Sequence, residues 1–164
     1  EWLGRNTPEY SAMLAETGQG RWNHRGDARP WLRFCLKAHY QQAATLIRRN
    51  EEYGRLFEGI EALQRAHRLP ERAQVPLFNA ALGFRLTNRL YRSEADVSEL
   101  VASRDLKRLC DAGLLLAKGE RRGRHYLRAD QLVRLREECR ITRSLGDPYA
   151  VAMAETQTPP LPFD

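Results

Sequence analysis

Nine polar side chains between Ser98 and Arg124 carry the clearest chemical signal in this chain. Ser98, Ser103, Arg104, Lys107 and Arg108 come first; Lys118, Arg121, Arg122 and Arg124 follow within "AKGERRGRHY". Arginine presents a planar fork of donors that matches a phosphate or the acceptor edge of guanine, and lysine supplies a compact positive charge. Serine hydroxyls add contacts to phosphate oxygens. No nucleophile paired with a base accompanies them. The chemistry open to these residues is recognition of a polyanion, and no catalytic residue is assigned.

The elements that must position them can be read from the apolar spacing. Ala102, Leu106, Leu109 and Cys110 form one stripe of a helix that Ser98 can cap and Gly113 ends. Arg104 and Arg108 then point away from that stripe, with Ser103 and Lys107 flanking them, while Glu99, Asp105 and Asp111 are expected to dilute the positive field. Upstream, Thr87 is placed to cap a short helix over residues 88–94, followed by a turn at Ala95-Asp96-Val97. Downstream, residues 114–118 and 125–128 predict two short strands, with Gly119 and Gly123 bracketing the loop and allowing positive φ. Helix, short helix, turn, helix and two-stranded wing make a winged helix-turn-helix. Its second helix suits a major groove about 12 Å wide, and the wing arginines suit adjacent phosphates or a minor groove. The same elements also serve as protein-interaction modules, and an exposed arginine face is often simply solvated.

Residues 7–17 predict a helix with Thr7 as cap and Pro8 at its start, closed by "TGQG". "RWNHRGD" reads as a polar loop. From Asp27 and Pro30 an apolar spacing of three and four runs through Trp31, Phe34, Ala38, Leu46, Tyr53, Leu56, Ile60 and Leu63 to about His67. This predicts one helix of about 40 residues, roughly 60 Å long, or two helices broken near Asn50 or Gly54. "ERAQVPLFNAALGF" continues as helix with Leu77, Phe78, Ala81 and Leu82 on one side. Residues 130–143 predict a final helix with Leu132, Leu135 and Ile141 inward. The fold class is mainly α with a small two-stranded β-wing. Three segments are expected: helices over 1–69, the winged helix-turn-helix over 70–145, and a proline-containing tail over 146–164.

Composition narrows the function classes. Hydrophobic residues at 42% and charged residues at 29% describe a globular chain. The formal charge is +6, and residues 70–128 hold twelve Lys or Arg against seven Asp or Glu, so nearly all the surplus sits there. Cys35, Cys110 and Cys139 are too widely spaced for a zinc site or a disulfide framework, and Cys35 and Cys110 read as small core residues. His24, His39, His67 and His125 lack ligand spacing, so no metal is expected. No apolar run approaches the about 20 residues of a membrane span, and no signal peptide opens the chain, so a cytoplasmic, non-membrane protein is expected.

Two stretches carry a family resemblance. "GDARPWLRFCLKAHYQQAATLIRRNEEY" resembles the helix that follows the catalytic helix of Fic-domain proteins, and "PEYSAML" is similar to the segment before it, with Asn6, Glu9 or Tyr10 and Leu14 matching loosely. "LTNRLYRSEADVSELVASRDLKRLCDAGLLLAKGERRGRHY" resembles the winged helix often attached to the C-terminal side of Fic domains. The resemblance covers about residues 1–143. It implies a parent protein that transfers AMP from ATP to a protein hydroxyl, with ATP and magnesium held by an H-P-F-x-D/E-G-N-G-R loop. "NHRGDARPW" has no H-P-F and no G-N-G-R, so no catalytic residue carries over and no cofactor is expected in this chain. The expectation is a C-terminal fragment, not itself an enzyme, whose winged helix binds double-stranded DNA. The alternative is a winged helix that docks a target protein or a second copy of the chain.

Overall fold

The computed structural model describes residues 2–20, 26–142, 145–146 and 148–149. Most of the predicted tail and most of the "RWNHRGD" loop lie outside the described residues. Seven α-helices and two strands are present among them, so the chain is mainly helical with a small antiparallel sheet. It divides into two compact units, one made of residues up to Arg49 with those after Ile141, the other running from Asn50 to Ile141. That division falls inside the longest helix, whereas the sequence placed its boundary at Leu69-Pro70.

The first unit holds α1 (Trp2–Arg5), α2 (Thr7–Gly18) and the start of α3 (Arg29–Ala66). Thr7 is the first residue of α2 rather than its cap: Asn6 takes the cap position, and the Thr7 hydroxyl donates back to the Gly4 carbonyl at 3.1 Å. Gln19 and Gly20 then close α2 in left-handed conformations, so the helix ends within "TGQG". Trp2, Tyr10, Trp31 and Phe34 gather their rings at centroid distances near 6 Å, which suits tilted aromatic packing. Asp27 starts α3 by accepting the Arg29 backbone N–H at 3.0 Å together with its guanidinium. Those hydrogen bonds pull the Asp27 carboxyl down to about 2.

The α3 helix is continuous for 38 residues, about 57 Å at 1.5 Å per residue, so neither Asn50 nor Gly54 breaks it. Its second half belongs to the second unit, with Leu56 and Ile60 fully buried. There Phe57 stacks on Phe78 at 4.1 Å, and Tyr53 meets the same ring edge-on at 5.4 Å. Phe78 lies on α4 (Gln74–Ala81), which follows a 3-10 turn at Glu71–Ala73. Next come α5 (Asn88–Ala95), α6 (Glu99–Asp111), β1 (Leu115–Lys118), β2 (His125–Arg128) and α7 (Asp130–Glu138). The order and pairing of these elements match a helix-turn-helix followed by a wing. One core collects Leu56, Leu77, Tyr91, Leu106, Leu114 and Leu132 from the helices and the strand root.

β1 and β2 pair antiparallel from Leu115 opposite Arg128 to Lys118 opposite His125. Leu86, between α4 and α5, joins them through a bridge to Tyr126, with N–H to carbonyl distances of 3.1 and 2.8 Å. This pairing anchors the wing to the helices. α7 stops at Glu138, five residues short of the expected end, and Ile141 lies beyond it. The Ile141 backbone N–H instead donates to the Glu52 carboxylate at 3.0 Å, and Arg136 pairs with the same side chain at 3.0 Å. Arg136 thus neutralises, and the Ile141 N–H further satisfies, a carboxylate that is nearly buried on α3. Cys35 and Cys110 are only half-buried; the cysteine inside the core is Cys139.

Candidate nucleic-acid interface

Capping fixes where α5 and α6 begin. Thr87 Oγ1 accepts from the Leu90 N–H at 3.2 Å, and Ser98 Oγ accepts from the Val101 N–H at 3.4 Å. Asp96, left-handed at φ 48°, turns the chain between them. Ser98 therefore spends its hydroxyl on its own helix. At the other end of α6, Gly113 (φ 70°) donates to the Cys110 carbonyl and Leu114 to the Leu109 carbonyl, the double bond pattern of a left-handed glycine stop. That stop sets the path from α6 into β1.

Ala102, Leu106 and Leu109 are fully buried, so the opposite face of α6 is turned to solvent. Arg104 and Lys107 stand exposed on it. Ser103 is also exposed and accepts from Asn88 Nδ2 at 3.0 Å. Arg108 is exposed too, but its guanidinium donates to the Arg68 carbonyl at 2.6 Å and turns aside from the wing.

Asp105 corrects the sequence reading. It is 1% exposed and contributes nothing to the outer field of α6. Arg72 Nε and Nη2 donate to its two carboxylate oxygens at 2.7 and 3.0 Å, and the Tyr91 hydroxyl donates at 3.0 Å. A carboxylate so deeply placed requires such partners. One side chain thus ties the 3-10 turn before α4, the middle of α5 and the inward face of α6. Burial, reinforced by the Asp105 charge, holds the Tyr91 hydroxyl protonated well above its usual range.

In front of α5, α6 and the sheet lies an open groove of about 880 Å³. Among the described residues lining it, Arg89, Arg92, Lys107, Arg121 and Arg124 supply five cations and Glu99 a single carboxylate. Glu99 is already within 3.5 Å of Arg92. Cys110 and Tyr126 also line it, and burial pushes the Cys110 thiol pKa up, which disfavours the thiolate. The groove thus brings together Ser103, Lys107, Arg121 and Arg124 from the sequence set. Arg104, Arg108 and Lys118 are not among its lining residues. The Arg122 side chain lies outside the described residues. Arg89 and Arg92 were not singled out from sequence, although both lie on α5, the short helix that precedes α6.

The wing tip also departs from expectation. Gly119 has positive φ (72°), and a Cβ there would sit 2.7 Å from the Gly123 carbonyl oxygen. Gly123 is not left-handed; Arg121 is instead, at φ 48°, within a 3-10 turn spanning Arg121–Gly123. His125 Nδ1 lies 2.8 Å from Arg85 Nη2 and 3.0 Å from the Gly123 carbonyl, so this ring nitrogen is engaged locally.

Comparison with protein-family models, with curated proteins and with solved structures finds no match for this chain. Among the described residues, no group of three or more His, Cys, Asp or Glu is placed to hold a metal. No helix among them is long and apolar enough to cross a membrane.

Proposed function

We propose that the second unit binds double-stranded DNA as a winged helix, and that the chain is the C-terminal part of a Fic-family protein. The observation that carries the DNA reading is the groove: five cations from α5, α6 and the wing converge, and Glu99, the one carboxylate among the described lining residues, offsets only Arg92, which leaves an excess of four. Convergent cations from three elements fit a phosphate backbone better than a merely solvated helix face. The Fic relationship rests on the residues quoted from sequence. On this reading the chain targets or regulates its parent, and transfers no AMP itself, because the phosphate-binding loop is absent from its sequence.

Selection from random duplexes, followed by titration at several salt concentrations, tests it. Arg124→Ala and Arg89→Ala should each weaken binding to all sequences about equally and flatten the salt dependence by roughly one unit of slope. Arg108→Ala, already engaged on the Arg68 carbonyl, should change the slope by much less. A chain that enriches no sequence, and binds duplex no better than an unrelated protein of similar charge, would instead be a protein-docking module.

A further inference from the structure

We infer that Leu100 reads the 5-methyl group of a thymine, giving the helix that carries it a preference for T at one position of its site. The inference rests on the DNA-binding reading above. Leu100 is 70% exposed, the highest value among the exposed large hydrophobic residues of the described chain. Single exposed leucines are common on protein surfaces; the placement of this one is what matters. It lies in the first turn of α6, beside Glu99 at the edge of the groove rather than among its lining residues, and the buried Ala102, Leu106 and Leu109 fix the inward side of that helix. At 100° per residue, Leu100 falls directly opposite Leu109, at the centre of the outward face. Ser103, Arg104 and Lys107 follow on the same face at spacings of three, four and seven.

The first turn of a recognition helix is the part that reaches base edges, while cations further along it meet phosphates. An apolar side chain at that point cannot hydrogen-bond to a base. Within the major groove its one apolar counterpart is the thymine methyl, absent from cytosine, from purines and from uracil. The adjacent carboxylate of Glu99 is drawn aside to Arg92 at 3.5 Å and does not cover Leu100. The same contact would favour DNA over duplex RNA, whose bases lack the methyl and whose major groove is too narrow for a helix.

The test uses the whole chain and the duplex enriched from a random pool. Each thymine in turn is replaced by deoxyuridine, which removes the methyl and leaves base pairing intact. Binding is measured for wild type and for Leu100→Ala, a surface change that should leave the urea midpoint of the chain unchanged. One replacement should weaken wild-type binding about fourfold, the equivalent of burying one methyl group, and weaken Leu100→Ala less than about 1.5-fold. Tight, salt-dependent duplex binding in which no thymine methyl matters, or matters equally to both proteins, overturns the role of Leu100 and leaves DNA binding standing. Failure to enrich any duplex overturns the DNA-binding reading and this inference with it.

Discussion

Arg72 and Asp105 meet through two parallel hydrogen bonds, at 2.7 and 3.0 Å, across 33 residues of sequence. The carboxylate is buried and the Arg72 side chain is 41% exposed, so the pair sits where the core opens to water. Arg72→Met is expected to cost about 1–3 kcal/mol, because Asp105 keeps only the Tyr91 hydroxyl and some access to solvent. Joining it to Asp105→Leu should cost less than the sum of the two single changes, by more than about 0.5 kcal/mol, since no unpaired carboxylate then remains inside. Urea melts of the four proteins measure this. Additive losses would show that the two side chains act independently.

Tyr91 predicts the response to alkali. Its pKa is raised in the folded chain, so the unfolded chain gives up this proton near pH 10 while the folded one retains it. The associated stability is fully present below pH about 10 and is lost as pH rises beyond it. Tyr91→Phe should cost about 0.5–1.5 kcal/mol at neutral pH through the lost hydrogen bond. It should also decline less steeply than wild type above roughly pH 10. Denaturant midpoints taken between neutral and alkaline pH decide it; parallel curves would remove Tyr91 from the account.

The wing tip predicts opposite effects for two neighbouring changes. Arg121→Gly relieves a left-handed arginine and should stabilise the chain by about 0.5–1 kcal/mol, after allowing for glycine's extra freedom when unfolded. The same change removes a groove cation and should weaken duplex binding. Gly119→Ala forces a Cβ toward the Gly123 carbonyl at positive φ and should cost more than about 1 kcal/mol. Thermal melts that rank the two the other way would show that the loop adopts a different turn in solution.

Local rules made much of this fold readable. Thr87, Ser98 and Gly113 sit where the apolar spacing put the ends of α5 and α6, and α3 runs unbroken as its spacing of three and four allowed. Three of the misreadings share one cause, which is partners distant in sequence. Asp105 follows Arg104 directly and looks like a surface charge until Arg72 and Tyr91 arrive from other elements. Arg108 looks outward until the Arg68 carbonyl captures it. Arg89 and Arg92 join the groove from α5, whose Tyr91 is buried in the core. At the wing, glycine content pointed to positive φ at Gly119 and Gly123, yet the left-handed residues are Gly119 and Arg121.

Sequestering Asp105 also bears on speed. Had that carboxylate stood beside Arg104, an approaching polyanion would have met a mixed field on α6. Neutralised inside the core by Arg72, it leaves Arg104 and Lys107 to set the potential along the middle of the helix. Potentials of this kind act over about 8–10 Å in physiological salt, before any contact forms. They raise the rate of productive encounter more than they lengthen the life of the complex. On the DNA-binding proposal, a carboxylate turned inward would therefore quicken capture of the duplex without touching it.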